Sequence, residues 1–418
     1  MNQFGGIIFL ISLFLLSSFL NWYVFQAIKT IFTLFEGERL KQILSVSYWV
    51  IFQGISFWVL FMLGRFVLYG GGLSSIQSVF DVFLTVLVTQ VVCVLVLLGE
   101  DIFRNAQAGV HFLIDYSKGF TYQKRMVWVS LLAIILAAVP FFSFVFGMTY
   151  GKYNFKVHRE VVYFDALPDA FNGFTIVQLS DIHAGSFGNH AAVQKGIDLA
   201  NAQQADLFVF TGDLVNHKAD EIEPMLHQFS QIKAKYGQFS ILGNHDYGDY
   251  ISWPSKEAKD ENFAKLKAQH QKMGYRLLLD EHVSIKKDGQ QLFLVGVENW
   301  GVGFKAKGDL EKAIKGLSPE DFKILLSHDP SHWDVEVKNH PNHIHLTLSG
   351  HTHGMQMGIE TPVVRWSPVQ YRYPNWAGLY DEMNRYLYVN RGFGFHAFSG
   401  RVGIWPEITV IELRKKNN

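Results

Sequence analysis

The chain has 418 residues, 49% of them hydrophobic, with 37 basic and 37 acidic side chains and no formal net charge. Balanced charge without a basic stripe argues against a nucleic-acid partner, a nuclease role included. The one cysteine, Cys93, lies inside an apolar run and excludes both a disulfide framework and a cysteine-ligated metal site.

Composition changes near residue 150, dividing the chain into a membrane region over 1–150 and a soluble domain over 151–418. The first part is rich in Phe, Leu, Ile and Val, and of the 17 histidines it holds His111 alone. Four apolar stretches, about 4–28, 48–69, 79–98 and 126–148, approach or exceed the roughly 20 residues that cross a bilayer. No Lys or Arg precedes the first, and its apolar run is too long for a cleavable signal peptide. Trp22, Tyr23, Tyr48, Tyr69, Tyr122 and Trp128 fall near span ends, as an aromatic belt requires.

Loop charges set the expected orientation. Lys29, Arg39 and Lys41 follow the first span, and Arg104, Lys118, Lys124 and Arg125 follow the third. The N-terminus and the connection 70–78 carry no Lys or Arg. The positive-inside rule therefore places both basic loops in the cytoplasm and the soluble domain outside it. Lys152, Lys156 and Arg159, just after the fourth span, pull the other way.

In the soluble part, apolar strand segments are expected at 174–179, 207–210, 239–242, 292–297, 324–326, 344–348 and 408–413. Asp288-Gly289 marks a hairpin turn between 282–286 and 291–297. Helices are expected at 189–203, 221–235, 257–273 and 309–315, covering buried sheets in an α/β domain.

Five polar blocks stand at the ends of those strands: Asp181-Ile-His183, Gly212-Asp213, Gly243-Asn244-His245-Asp246, His328, and Gly350-His351-Thr-His353. A strand end holds a side chain rigidly while leaving it open to a crevice. Singly each block is commonplace, and jointly they supply oxygen and nitrogen donors for divalent ions such as Mn²⁺, Fe²⁺ or Zn²⁺. Glycines 212, 243 and 350 allow the backbone to turn tightly beside them.

In this order the blocks resemble the calcineurin-like metallophosphoesterase superfamily, over about residues 155–415. The likeness is closest to its bacterial membrane-anchored branch, through 174–183 and the ending Arg401…Pro406-Glu407, with the four spans outside it. The resemblance implies a four-layer αββα sandwich and two divalent metal ions. Asp181, His183 and His353 would hold the first ion, Asn244, His328 and His351 the second, and Asp213 would bridge them. A shared hydroxide would attack phosphorus in line, with His245 contacting the phosphoryl group or protonating the leaving oxygen. Asn216 stands where purple acid phosphatases place a ligating Tyr, and where phosphoprotein phosphatases place an Asp. Both of those branches are therefore disfavoured.

Other residues carry less. His332, His340, His343, His345 and His396 match no block and are expected to be solvated. The aromatics Trp366, Tyr371, Tyr373, Trp376, Phe393, Phe395, Phe398 and Trp405 are expected to pack core and loops, or to wall the metals for a lipid or nucleobase. Arg391 and Arg401 are candidates for a second phosphate contact or for salt bridges.

The expectation is a hydrolase of the bacterial inner membrane, cleaving a phosphodiester or pyrophosphate on a lipid, with its site extracytoplasmic. Alternatives are hydrolysis of UDP-2,3-diacylglucosamine at a cytoplasmic site, and a non-catalytic membrane sensor or transport-associated protein.

Overall fold

Two compact units meet in sequence between Phe146 and Gly147. The computed structural model describes residues 3–69 and 76–416, so most of the expected connection 70–78 lies outside the described residues.

The first unit is built from α1 (Gln3–Ile31), α2 (Glu38–Tyr69), α3 (Gln77–Ile114) and α4 (Val127–Thr149), the last running into the second unit. All four are long and apolar enough to cross a membrane, and the protein is an integral membrane protein. Small or flat side chains such as Ala27, Cys93, Ala133 and Ala137 let the helices approach closely. Asn21 ties three helices together: its Nδ2 donates to Ser56 Oγ at 3.3 Å, its backbone oxygen accepts from Tyr48 Oη at 2.8 Å, and its Oδ1 accepts from Gln90 Nε2. Buried polar groups in a bilayer need such partners. Helix α3 continues well past the apolar stretch 79–98, since the polar run 99–114 contains no proline to stop it.

The second unit holds two six-stranded sheets. One runs in the order β1 (Lys156–Phe164), β14 (Glu407–Lys415), β2 (Phe174–Leu179), β3 (Leu207–Phe210), β4 (Gln238–Ser240), β5 (Arg276–Leu277). The other runs β12 (Gly378–Glu382), β13 (Arg385–Val389), β9 (Leu346–Ser349), β8 (Lys323–Leu326), β7 (Gln290–Gly296), β6 (Glu281–Lys287). A short hairpin pairs β10 (Ile359–Glu360) with β11 (Arg365–Trp366). Asp288 and Gly289 both have positive φ (48° and 78°), the backbone that the expected hairpin turn between β6 and β7 demands.

Strand alternation divides the core. Ile176, Leu207 and Val209 pack toward Leu294, Ile324 and Leu346 between the sheets. The opposite faces, with Val177, Phe208 and Phe210 on one sheet, lie under α5 (His190–Asn201), α6 (Leu226–Phe229) and α7 (Lys256–Lys272). Leu325 and Leu387 on the other sheet lie under α8 (Leu310–Ala313) and α9 (Ser331–Val335). The result is the four-layer αββα sandwich.

The helix expected over 221–235 is instead a 3-10 stretch, Ala219–Met225, followed by the single turn of α6. Pro224 lacks the N–H that a regular helix there would use. Strands β1, β12 and β13 were not expected. β1 and β12 interleave charged residues with their apolar ones, and pairing of β1 with β14 and of β13 with β9 over long sequence separations defines them.

Candidate metal centre

Strands β2, β3 and β4 run parallel in one sheet, and β8 and β9 run parallel in the other. All five deliver their polar blocks to one edge of the sandwich. The backbone keeps pairing past the strands, with Asp181 N–H on Gly212 O at 2.9 Å and Gly350 N–H on His328 O at 2.9 Å. Asp181, His183, Asp213, His351 and His353 all adopt left-handed backbone, with φ between 47° and 69°. Such conformations are uncommon outside glycine and cost about 1–3 kcal/mol each. They turn the side chains inward, out of the strand direction. Gly212 (φ 96°) lies so close to the Gly243 backbone that a Cβ would collide with it.

The donors gather in two buried groups. Asp181, His183 and His353 have ligand atoms all within 4.8 Å of one another, as do Asp213, His328 and His351. Asp213 Oδ2 lies 3.6 Å from His183 Nε2 and 3.2 Å from His328 Nε2, so one carboxylate stands between the groups. His351 Nδ1 is 2.9 Å from Asn244 Oδ1 and 3.2 Å from His328 Nε2, which brings Asn244 into the second group. In the first, His183 Nε2 and His353 Nε2 face each other at 3.1 Å.

The far ring nitrogens have partners that aim the near ones. His328 Nδ1 donates to Thr211 O at 2.7 Å, and His183 Nδ1 donates to Asn216 Oδ1 at 3.0 Å. His351 Nε2 meets Tyr373 Oη at 2.9 Å and Asp329 Oδ2 at 3.3 Å. Each turns its other ring nitrogen into its cluster, the arrangement that aims an imidazole at a metal. Hard oxygens with borderline nitrogens and no sulfur fit Mn²⁺, Fe²⁺ or Zn²⁺.

Electrostatics favour a cation here. Burial works against the charge of Asp213, but His328 and the neighbouring imidazoles hold its carboxyl well below the usual range. Burial also opposes a proton on His328, yet Asp213 pushes its imidazole up to about 10. Burial holds His183 well below its ordinary value. Asp246 secures the loop: it accepts from the backbone N–H groups of Gly243, Asp213 and Leu214, each at 2.9 Å. Its burial and the Asp213 charge push it up to about 7 against those bonds.

His245 lies beside the first group, its ring 4.9 Å from that of His183. Its Nδ1 donates to Asn216 O at 2.8 Å, leaving Nε2 for a ligand. Asn216, which stands where phosphoprotein phosphatases place an Asp, orients His245 through its backbone carbonyl. His396 was expected to be solvated, but its ring stacks on His183 at 4.7 Å and its Nδ1 reaches Asn216 Oδ1 at 3.1 Å. His217 lies 6.0 Å from His245, ring to ring. Only chain folding brings these two together with the blocks, and His217's place directly after Asn216 was the one sequence signal.

Other expectations need correcting. His332, His340 and His345 are buried rather than solvated, and His343 is half-buried. Arg391 is taken by Glu407 at 2.6 Å and by Glu360 at 2.5 Å, so its contacts are salt bridges rather than a free phosphate fork. Arg401 is fully buried, its Nε on Gly394 O at 2.8 Å and its Nη2 3.2 Å from His353 Nδ1. Of the aromatic tail, Tyr373, Trp376, Phe393, Phe395 and Phe398 are buried, and Trp366 and Tyr371 are exposed. The wall beside the donors comes from elsewhere as well: Phe304 packs 4.6 Å from His351 and Tyr250 packs 4.6 Å from His245.

Residues 174–355 match the family model described as "Calcineurin-like phosphoesterase". Residues 6–152 match "Probable Calcineurin-like phosphoesterase, transmembrane domain", so the four spans, expected to stand outside the resemblance, have a family match of their own. The chain is 30% identical over 285 residues to a Bacillus subtilis protein named "Uncharacterized metallophosphoesterase YkuE", covering 65% of this chain and 91% of that one. It is 28% identical to a Danio rerio "Transmembrane protein with metallophosphoesterase domain", over 68% of this chain and 63% of that one. The Bos taurus protein of the same name is 29% identical, over 59% of this chain and 54% of that one. The chain thus matches less than two thirds of the length of either vertebrate relative.

Proposed function

This chain belongs to the calcineurin-like metallophosphoesterases, and from that membership we propose a membrane-anchored hydrolase of a phosphodiester or pyrophosphate borne on a lipid. The observation that carries it is the convergence of two buried donor groups on one carboxylate, Asp213. In this reading Asp181, His183 and His353 hold one divalent ion, Asn244, His328 and His351 hold a second, and Asp213 serves both. Such ions supply Lewis-acid stabilisation of phosphoryl charge and an activated water.

The protein's own groups do the rest. Asn216 fixes His183 through its side chain and His245 through its carbonyl, so ligand and acid are set by one residue. A protonated His245 presents Nε2–H to the phosphoryl or leaving oxygen. His396 and His217 add imidazole edges on the same side, suited to a second phosphoryl oxygen. Phe304 and Tyr250 give the site an apolar flank for the non-phosphate part of the ester.

Orientation rests on the basic loops after the first and third spans, which support an extracytoplasmic site in a bacterial inner membrane. Lys152, Lys156 and Arg159 favour a second reading, a cytoplasmic site acting on a nucleotide-linked lipid pyrophosphate such as UDP-diacylglucosamine. A reporter fused to the C-terminus decides between them by the side on which it is active. The hydrolase itself is tested with detergent-purified protein on a chromogenic phosphodiester, the matching monoester and a lipid pyrophosphate, with Mn²⁺, Zn²⁺ or Mg²⁺ added. Turnover of at least one that depends on metal supports the proposal. No turnover of any by metal-loaded protein favours a ligand-binding sensor instead.

A further inference from the structure

At one end of the helical unit, where α1, α3 and the segment leading into α4 come together, lies a cavity of about 940 Å³. That is large enough for a lipid headgroup. Four cations line it, Lys29, Arg104, Lys124 and Arg125, against the single carboxylate of Asp101. Trp22 and Tyr122 complete the rim.

The two arginines are held rigidly. Arg104 Nη1 donates to Asp101 Oδ1 at 2.8 Å, and its Nε donates to Gln123 O at 2.9 Å. Arg125 reaches Asp101 at 2.7 Å and Glu100 at 2.9 Å. Each guanidinium also lies over an aromatic ring, Arg104 over Tyr122 at 5.9 Å and Arg125 over Tyr23 at 6.0 Å. Asp101 is fully used, since it also accepts from Tyr23 Oη at 2.6 Å. Lys29 and Lys124 are exposed and have no acidic partner among the described residues. Acids are thus consumed in fixing the arginines, while two exposed ammonium groups remain uncompensated. A cavity built this way demands an anion.

Depth identifies the anion's carrier. Asp101 and Arg104 lie just beyond the apolar stretch of α3 that ends at Leu98, which is the level of lipid headgroups. Apolar side chains stand exposed nearby on the same helices, with Trp22 at 49%, Trp128 at 64% and Ile102 at 64% exposure. Phosphate in the basic cavity and acyl chains along these residues would satisfy both surfaces at once. We propose that this cavity binds the phosphate headgroup of an anionic phospholipid. Binding of this kind would secure the ends of α1, α3 and α4 to one leaflet.

The test follows the melting temperature of the full-length protein in a zwitterionic detergent. Phosphatidylglycerol, phosphatidylcholine or inorganic phosphate is titrated into wild type and into the Lys29→Gln/Lys124→Gln double variant. The expected result is a rise with phosphatidylglycerol alone, with half-saturation on the order of 30-fold weaker in the variant. An equal response to phosphatidylcholine, or an undiminished response in the variant, overturns the proposal. Inorganic phosphate reproducing the full effect overturns the lipid assignment and leaves a free-phosphate site. Either single lysine variant, with a response several-fold weaker, replaces the double one if that does not fold.

Discussion

His183 and Asn216 are joined by a 3.0 Å hydrogen bond from Nδ1 to Oδ1, and the same oxygen lies 3.1 Å from His396 Nδ1. One amide thus sets the tautomer of a proposed metal ligand and aligns a second ring beside it. Asn216→Leu is expected to weaken metal binding by about 10–100-fold while the fold persists. Asn216→Asp, which keeps the acceptor, is expected to retain most of it. Isothermal titration with Mn²⁺ or Zn²⁺ checks this, and equal affinity in wild type and Asn216→Leu would remove Asn216 from the site's support.

Gly350 stands where any side chain meets Asp181 and Ser180, because its Cβ would overlap Ser180 Oγ and Asp181 Oδ2. Gly350→Ala is expected to displace Asp181 and cost about 1–3 kcal/mol through overpacking. Metal analysis alongside circular dichroism should find a folded protein with impaired loading. Normal loading would mean that the loop yields freely.

Arg391 was a candidate for a phosphate contact or for salt bridges, and its ion pairs with Glu407 and Glu360 are of the second kind. Burial works against ionising Glu407, yet Arg391 holds that carboxyl at about 2. A depressed carboxyl stabilises the fold above its unfolded value near 4.5, and that stability is lost as pH falls toward 2. Arg391→Met strands the buried carboxylate and is expected to cost about 3–5 kcal/mol. Thermal melts at pH 7 measure the loss. A variant that melts like wild type but shows a raised KM would restore the phosphate role.

His345 stacks on Phe322 at 4.3 Å and accepts the Lys323 backbone N–H on Nδ1 at 3.2 Å, so it is built to be neutral. Burial holds it at about 3, below its ordinary 6.5. The unfolded chain therefore takes up the proton first, and stability falls as pH drops from 6.5 toward 3. The loss is on the order of 1–2 kcal/mol by pH 5. Denaturant unfolding at pH 7 and pH 5 should show a smaller difference in His345→Asn than in wild type. Equal differences would place the acid sensitivity elsewhere.

The sequence made legible what is local or repeated. Strands β2 and β3 were bounded correctly because segments rich in Val, Ile, Leu and Phe end abruptly at polar blocks. The helices of the first unit declared themselves by apolar length, though not where they end, because the polar turns beyond Leu98 remain helical. The donors were legible as blocks, while their meeting depended on sheets that bring His183 and His353 together across 170 positions. His396 was missed for the same reason: it reaches Asn216 across 180 positions, with no pattern around it. The sequence left Arg391 between a phosphate contact and salt bridges because its partners, Glu360 and Glu407, lie on separate strands.

The most direct measurement of the central claim is metal content per chain after saturation and removal of excess ion, for wild type and Asp213→Asn. The account predicts two ions in wild type and loss of at least one in the variant, because Asp213 stands between both donor groups. A single ion in wild type, or two retained with unchanged affinity in Asp213→Asn, would contradict a shared centre.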